Sequence, residues 1–352
     1  MKVAMFVELG RVELQDIPRP TLREGEVLVE IEACGLCATD VKSILKGHPF
    51  WKPPRVLGHE MVGRVVEVNQ QASVSVGDRV FVCPSMPCGY CYFCRRGAET
   101  MCLNKKAQMP YPGGFSEYVS CPPPIATRGL LRVPDHLPSA VATLSEPLGC
   151  AVRAMKMVRL HPGATVVVVG DGPMGIMNVA AARLYGASKV IQSGTLPHRL
   201  EVARQYFADV VVNVEHDDLR DVVMRETEGY GADAVFVTVS VPSIVQQSIE
   251  LVRPGGWFNV FAGQPAGSIM QLDLATVHYK EVSINGVFGA TPQDIYEALH
   301  FLGSGRLNFA PVITDSFALS DFMKAMEYSL QMRGLRAVIT PDGKGSSLQQ
   351  VH

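Results

Sequence analysis

Short apolar runs, bounded by glycine, proline or charged residues, fill residues 1–145 of the chain. Residues 26–32, 63–68 and 78–83 are typical, and their apolar positions either alternate or form brief buried blocks. This pattern predicts the strands of a barrel-like or open β-domain rather than repeated strand–helix–strand units. Residues 1–16 carry acidic side chains within the first apolar stretch, so we expect a first strand there rather than a signal peptide.

The pattern changes near Leu137, after which buried strands alternate with helical patterns. Residues 140–160 and 176–185 have the apolar spacing of helices. Strands that are apolar on both faces and separated by helices predict a parallel sheet covered on both sides. The predicted strands of this part are 165–169, 189–191, 210–213, 234–238 and 257–261, and a last strand is predicted at 336–340.

Composition narrows the possible classes of protein. The 352 residues are 47% hydrophobic and 19% charged, with a formal net charge of -2. At about 150 residues per domain the chain has room for two domains, and its hydrophobic content excludes long disorder. The balanced charge argues against nucleic acid or a membrane surface as a partner. No apolar run approaches the roughly 20 residues of a membrane helix, so we expect a cytoplasmic protein. The low charged fraction favours a surface partly covered by another subunit.

A glycine-rich turn, Gly170-Asp-Gly172-Pro-Met-Gly175, lies between a predicted buried strand and a predicted helix. Gly170 allows the tight turn, Gly172 lets the backbone approach a pyrophosphate, and Gly175 lets the helix pack closely on the strand. The helix N-terminus adds free N–H groups for the phosphates. We predict a dinucleotide site here, with Pro173 and Met174 inside the turn. The alternative is a glycine turn that serves packing alone.

The residues at the end of the next predicted strand, 189–191, bear on whether the site prefers NAD or NADP. An Asp or Glu about 20 residues after the turn usually accepts a hydrogen bond from the adenosine ribose 2′-hydroxyl. No carboxylate stands at this point, where the sequence is Gln-Ser-Gly-Thr. Gly194 leaves room for a 2′-phosphate, and Ser193, Thr195 and Arg199 carry donors for it. We therefore predict that NADP(H) is at least tolerated and is slightly favoured over NAD(H).

Four of the nine cysteines are clustered, at Cys88, Cys91, Cys94 and Cys102. Such spacing suits a closed tetrahedral zinc site with four thiolate ligands. The segment has little apolar content, so metal ligation would replace a hydrophobic core. Four unrelated buried cysteines are the alternative, and a redox dithiol would explain only one pair.

A second group of possible metal ligands is dispersed along the chain. Cys37, the pair His59-Glu60, and Glu146 supply a thiolate, an imidazole and one or two carboxylates. These groups can bind zinc and leave one position for water or substrate. Taken singly, a cysteine is more often a small core residue and a histidine a packed or surface residue. Spacing alone does not assemble these residues into one site.

Several motifs together carry a resemblance to a known family. They are CGLCATD, PPRVLGHEMVGRVVEV, VGDRV, the four-cysteine loop, GGFSEY, EPLGC and VVVVGDGPMG. In order and separation they resemble the zinc-dependent medium-chain alcohol dehydrogenase superfamily over nearly the whole chain, and its polyol and threonine dehydrogenase-like branch fits best. The resemblance implies an α/β fold: a GroES-like β-rich catalytic domain at 1–145 with a structural-zinc lobe at 88–102, a Rossmann NAD(P)-binding domain with a doubly wound parallel sheet at 146–288, and a return to the catalytic domain at 289–352.

The resemblance also implies roles for individual residues. Cys37, His59 and Glu146 would surround a catalytic zinc, with Glu60 a ligand in some states, and the choice between Glu60 and Glu146 stays open. Relatives with a histidine relay carry it where this chain has Lys42. The candidate proton-relay residues are Thr39, Lys42 and His48, with a helix N-cap as the alternative for Thr39 and a solvated surface position for the other two. Further candidates for cofactor contact are Thr238 and Phe288, and for substrate contact Phe50, Trp51, Met109 and Tyr111.

These residues favour an enzyme with one catalytic and one structural zinc per chain, which moves a hydride between a secondary alcohol and NAD(P). We expect a polyol, sugar alcohol or cyclitol first, because a vicinal diol can hydrogen-bond to Glu146. An acyclic secondary alcohol or amino alcohol is second. The alternatives are a zinc-free quinone-reductase-like enzyme, which would not need Cys37 with His59, and a sensor or structural protein without turnover. We expect a small-molecule partner and a homodimer or homotetramer.

Overall fold

The computed structural model describes residues 1–48, 51–70 and 72–342, except for the side chain of Lys106. Phe50, a candidate substrate contact, lies outside the described residues. Contacts divide the chain into two compact units. The first comprises the described residues of Met1–Glu146, Ala290–Gly305 and Phe309–His352, and the second comprises Pro147–Gly289 and Arg306–Asn308. Within the described ranges, every helix is too short or too polar to cross a bilayer.

The N-terminal part of the first unit is rich in short strands. Its elements are β1 (Lys2–Glu8), β2 (Arg11–Asp16), β3 (Val27–Gly35), α1 (Ala38–Lys46), β4 (Arg55–Val56), β5 (Glu60–Val68), β6 (Arg79–Val82), β7 (Tyr118–Cys121), α2 (Pro123–Arg128), β8 (Leu130–Arg132) and α3 (Ser139–Ala142). Two short 3₁₀ turns, Cys94–Arg96 and Glu99–Met101, lie in the four-cysteine segment, and a third, Lys105–Gln108, follows it. This segment has no strand or α-helix of its own within the described residues.

The second unit alternates strands and helices, as its sequence pattern predicts. Helix α4 (Ser145–Met157) precedes β9 (Thr165–Val169), α5 (Pro173–Leu184), β10 (Lys189–Gly194), α6 (Pro197–Tyr206), β11 (Val210–Asn213), α7 (Leu219–Glu226), β12 (Ala232–Val237), α8 (Pro242–Ser248), β13 (Val252–Val260), α9 (Leu274–Tyr279) and β14 (Ser283–Gly286). The chain then adds α10 (Pro292–Gly303), β15 (Ile313–Ala318), α11 (Phe322–Leu330) and β16 (Arg336–Thr340) to the first unit.

The sheet of the second unit is parallel and runs β11-β10-β9-β12-β13-β14. Renumbered within the sheet, this order is 3-2-1-4-5-6, the order of a doubly wound dinucleotide-binding fold. Its central strand β9 is almost wholly apolar, and Val166, Val167 and Val168 are completely buried. A strand apolar on both faces needs helices on both sides of the sheet, which explains the alternation along the chain. The predicted doubly wound sheet is confirmed.

The first unit holds two largely antiparallel sheets. A three-stranded sheet runs β2-β1-β4, and a seven-stranded sheet runs β15-β16-β3-β5-β6-β8, with β7 also paired to β3. In the long strand β3 the first part pairs with β7, whereas Cys34 and Gly35 pair with β16. Strand β16 thus comes beside the point where β3 gives way to α1. The β-rich character predicted for this part is confirmed.

One predicted helix is divided in two. The pattern of residues 140–160 predicts a continuous helix, but the structure has α3, a break at Thr143, and then α4. Pro147 explains the break, because it has no N–H to donate to the Thr143 carbonyl and its ring would crowd that oxygen. In the first turn of α4 the same proline costs little, since N–H groups there have no partner in the helix.

Candidate zinc and nucleotide sites

The four-cysteine segment brings its sulfur atoms together. The Sγ atoms of Cys88, Cys91, Cys94 and Cys102 all lie within 4.8 Å of one another. The Sγ of Cys94 is 3.5 Å from that of Cys91 and 3.9 Å from that of Cys88. Four sulfurs bound at about 2.3 Å to one tetrahedral ion lie about 3.8 Å apart. The group therefore has the spacing that zinc requires.

Hydrogen bonds favour the thiolate form of Cys88, whereas desolvation raises the pKa of the neighbouring Cys94 thiol to about 12. Desolvation raises the pKa of the Cys88 thiol, but hydrogen bonds from the Asn104 amide and from backbone N–H groups outweigh it and lower that pKa to about 6. Cys102 Sγ accepts from the N–H groups of Cys88 and Asn104 at 3.3 and 3.4 Å. Because the thiolate is the form that binds metal, these donors prepare the site for a cation.

A second group forms where β3 ends, α1 begins and β5 starts. The ligand atoms of Cys37, His59 and Glu60 lie within 4.8 Å of one another, although the chain separates Cys37 from the other two. Cys37 is the N-cap of α1, and its Sγ accepts the Thr39 N–H at 3.4 Å. A thiolate, an imidazole and a carboxylate fit a zinc ion with one further position. Glu146, in the first turn of α4, does not belong to this group.

Asp40 holds two of these residues in place, a role that the sequence pattern did not predict. Its Oδ2 accepts the Cys37 N–H at 3.2 Å, and its Oδ1 lies 3.2 Å from His59 Nδ1. The carboxylate is 4% exposed, so water screens these bonds little. Burial lowers the pKa of His59, but the charges and hydrogen bonds of Asp40 and Cys37 outweigh it and raise that pKa well above its usual value. With Nδ1 held by Asp40, Nε2 is left for a metal.

Glu60 is completely buried, and its charge is compensated by Arg336 of β16. Arg336 Nη2 donates to Glu60 Oε2, and burial lowers the pKa of this guanidinium. The other carboxylate oxygen, Oε1, is buried without a hydrogen-bond partner among the described residues. Such an atom is costly unless something binds it, and a metal ion among Cys37, His59 and Glu60 would do so. No motif in the sequence had pointed to Arg336.

The candidate relay residues follow this group along α1. Thr39 is exposed in the first turn, and its carbonyl accepts the Ser43 hydroxyl at 2.6 Å. Lys42 is exposed on the next turn. His48 lies beyond the helix and stacks on Trp51, with ring centroids 5.7 Å apart. Of the other candidate substrate contacts, Met109 is half-buried and Tyr111 is 62% exposed.

The glycine-rich turn has the geometry expected of a phosphate cradle. Gly170 has φ +122°, and a Cβ there would meet the Thr238 hydroxyl, which donates to the Val169 carbonyl at 2.9 Å. A Cβ on Gly175 would collide with the Gly170 carbonyl, whereas Gly172 faces open space. Pro173 occupies the first turn of α5, where it leaves no hydrogen bond unmade. Backbone N–H groups at this helix start can therefore meet a phosphate.

The predicted 2′-phosphate contacts differ in accessibility. Ser193 and Arg199 are 1% and 7% exposed, and only Thr195 is exposed to solvent. An acidic residue of the turn itself, Asp171, reaches the same place, and its carboxylate accepts hydrogen bonds from the N–H groups of Thr195 and Leu196. In the glycine-rich motif, Asp171 occupies a spacer position to which no role was assigned. Met174 is half-buried, and Phe288 is 62% exposed.

Comparison with known proteins identifies the family. Residues 23–135 match the family model of the alcohol dehydrogenase GroES-like domain, and residues 173–304 match that of zinc-binding dehydrogenase. The chain is 29% identical over 350 residues to a sorbitol dehydrogenase of Bacillus subtilis, covering 97% of this chain and 98% of that protein. It is 32% identical over 309 residues to an L-threonine 3-dehydrogenase of Pyrococcus horikoshii, covering 86% of each.

The fold agrees with these relatives. A crystal structure of a zinc-binding dehydrogenase from Sinorhizobium meliloti 1021 bound to NADP superposes with a TM-score of 0.88 and 25% identity. The match covers 97% of this chain and 99% of that one. Because relatives of at least 30% identity cover most of the chain, it belongs to the zinc-dependent medium-chain alcohol dehydrogenase superfamily, in the polyol and threonine dehydrogenase branch, and is an NAD(P)-dependent oxidoreductase.

Proposed function

We propose that this protein oxidises a secondary alcohol, with a polyol, sugar alcohol or cyclitol favoured, to the ketone, and passes the hydride to NAD(P). The group formed by Cys37, His59 and Glu60 carries this proposal, because three such donors suit a zinc ion that also binds substrate. Zinc held there supplies a Lewis acid that lowers the pKa of a substrate hydroxyl. The nicotinamide supplies the hydride acceptor.

We propose Glu60 as the third ligand of the catalytic zinc, and Glu146 as a carboxylate that hydrogen-bonds to the substrate or replaces Glu60. The unpartnered Oε1 of Glu60 supports the first role. Asp40 orients His59 and Cys37, and Arg336 compensates the charge of Glu60. The four cysteines at 88–102 would hold a second, structural zinc, so that each chain binds one catalytic and one structural ion.

The proton of the substrate hydroxyl needs a path to solvent. We propose that the Thr39 hydroxyl takes part, followed by Lys42 or His48, because Thr39 is two residues from Cys37 and exposed at the start of α1. Thr39→Ala should lower kcat by about 10²-fold while the zinc content stays unchanged. An unchanged kcat would leave Thr39 as a residue of the helix start only.

The substrate is to be tested with a panel. Polyols, cyclitols, acyclic secondary alcohols and L-threonine are each offered with NAD and with NADP, and the zinc content of the same preparation is measured. The proposal predicts about two zinc ions per chain and the highest kcat/KM with a vicinal diol. A maximum with L-threonine would favour the amino-alcohol alternative, which the 32% identity to a threonine dehydrogenase supports. Bound zinc and nucleotide without turnover of any member would favour a sensor.

Three further expectations belong with this proposal. The NADP(H) tolerance inferred from Gly194 stays a prediction, as does a cytoplasmic location. We also propose that the chain forms a homodimer or homotetramer through β14, which pairs with β13 on one side and is the last strand of its sheet. The exposed Ile284 on this strand supports an apolar contact there.

A further inference from the structure

In dinucleotide-binding folds, residues at the end of the second strand, here β10, set the preference for NAD or NADP. The acid that usually accepts the ribose 2′-hydroxyl is absent from this strand end, where the last residue is Gly194. The structure nevertheless places a carboxylate there. It comes from Asp171, which lies between the first two glycines of the phosphate-binding turn.

Asp171 fills the space that a side chain at position 194 would need. A Cβ on Gly194 would collide with the Cβ, Cγ and Oδ2 atoms of Asp171. Gly194 has no positive φ, so the backbone conformation does not require glycine. We conclude that the glycine is needed for space, and that the space is used by the carboxylate of Asp171.

The carboxylate is fixed by two backbone donors. Asp171 Oδ2 accepts from Thr195 N–H and from Leu196 N–H, both at 2.7 Å. Leu196 is the N-cap of α6, and its own side chain has no group that can cap the helix. Oδ1 accepts no hydrogen bond from the part of the chain that the structure describes, and Asp171 is only half-buried. One acceptor oxygen is thus held in place and left open to a ligand.

We propose that Asp171 is the specificity-determining residue of the nucleotide site, accepting a hydrogen bond from the 2′-hydroxyl of NAD(H) and repelling the 2′-phosphate of NADP(H). This inference rests on the proposed binding of a nicotinamide nucleotide at the turn. It reverses the preference expected from Gly194 alone, because the charge missing from the strand end is supplied by the turn before it. Of the three donors predicted for a 2′-phosphate, only Thr195 is exposed, and it is neutral.

A competing explanation gives Asp171 a purely structural role. Its two hydrogen bonds would then stabilise the start of α6 without any effect on the nucleotide. The two explanations differ in their readouts, since a cap changes the melting temperature and a specificity residue changes the ratio of two dissociation constants.

The test measures equilibrium binding of NADH and NADPH to the zinc-loaded full chain in the absence of substrate. The fluorescence of the nucleotide is the signal. We expect the wild type to bind NADH more tightly. Asp171→Asn keeps an oxygen for the two N–H donors and removes the charge, so it should improve NADPH binding relative to NADH by about tenfold. Glu201→Gln is the matched control, because it removes one carboxylate from the exposed face of α6 and should leave the ratio unchanged.

A double variant that moves the carboxylate to position 194 provides a second test in case the single variant misfolds. In Asp171→Gly/Gly194→Asp the carboxylate moves to the strand end, whose space Asp171 no longer fills, and the preference for NADH should return. A melting temperature is recorded for each variant. A lower melting temperature with an unchanged ratio would reduce Asp171 to a helix cap and overturn the proposal, as would a wild type that prefers NADPH. Failure of both nucleotides to bind would instead overturn the proposed function on which this inference rests.

Discussion

At the scale of single residues, the catalytic group depends on side chains that bind no substrate. Asp40 is almost fully buried and links the backbone of Cys37 to the imidazole of His59. Arg336 is 4% exposed and pairs with Glu60, which is not exposed at all. Buried charges are tolerated when each has a partner, and here Arg336 pairs with Glu60 while the His59 imidazole pairs with Asp40.

The role of Asp40 can be measured through zinc affinity. Asp40→Asn removes the charge and weakens the bond to His59, so zinc affinity and kcat/KM should each fall by about 10- to 100-fold. Competition with a chromogenic chelator gives the affinity. Glu8→Gln, an exposed carboxylate of the same unit, serves as control and should change neither quantity. Unchanged zinc affinity in Asp40→Asn would contradict the positioning role.

The buried ion pair of Arg336 and Glu60 leads to a prediction about the free energy of unfolding. Arg336→Met leaves Glu60 without its cation, and breaking a buried pair in this way costs about 3–5 kcal/mol. The loss should be largest in zinc-free protein, because a bound cation compensates Glu60 when the site is filled. Denaturant unfolding with and without zinc measures it. Arg336→Met/Glu60→Gln should recover part of the stability, and equal losses with and without zinc would argue against Glu60 as a ligand.

At the scale of elements, the four-cysteine segment contrasts with the rest of the first unit. It consists of short 3₁₀ turns, and Tyr90, Tyr92 and Leu103 are exposed rather than packed in a core. Segments of this kind depend on metal ligation for their structure. The β-sheets of the same unit bury many apolar side chains, among them Val29, Met61 and Phe81, so we expect them to fold without the metal.

Removal of the structural zinc should therefore destabilise the four-cysteine segment and leave the sheets folded. Cys88→Ser/Cys91→Ser, or treatment with a strong chelator, should open residues 88–108 to protease while the sheets stay protected. Limited proteolysis with mass spectrometry locates the cuts, and added zinc should restore protection in the chelated wild type but not in the variant. Cuts spread evenly over the chain would show that the segment also supports the sheets.

At the scale of the whole molecule, the parallel sheet ends at β14. Its register pairs Phe258 with Ile284 on one side, and Ile284 is 38% exposed. Strand edges of this kind pair with other chains unless charge or a covering segment prevents it.

Ile284→Lys places a charge on this edge and should convert the proposed dimer or tetramer to smaller species. Light scattering after gel filtration measures the mass. Val76→Lys, on an exposed loop of the first unit, is the control and should keep the wild-type mass. A monomeric wild type would refute the proposed assembly.

Local sequence patterns determine much of this protein by themselves. The spacing of apolar residues predicts the strand at 165–169 and the helix after the glycine turn. The conformational freedom of glycine predicts the turn itself. Both signals act over a few residues. The four cysteines likewise lie within one short segment, so their meeting needs little help from the rest of the fold. The helix break at Thr143 was not predicted, although Pro147 is a usable local signal for it.

Tertiary structure decided which distant residues meet. Glu60 joins Cys37 and His59 because β5 starts beside the end of β3, and Arg336 reaches Glu60 because β16 pairs with Cys34 and Gly35. Strand pairing of this kind joins segments whose separation in the chain carries no signal of contact. The carboxylate of Asp171 is a subtler case, since its approach to Gly194 depends on parallel strands β9 and β10 ending side by side. Sequence determined the types of chemistry available, and long-range pairing decided which groups share a site.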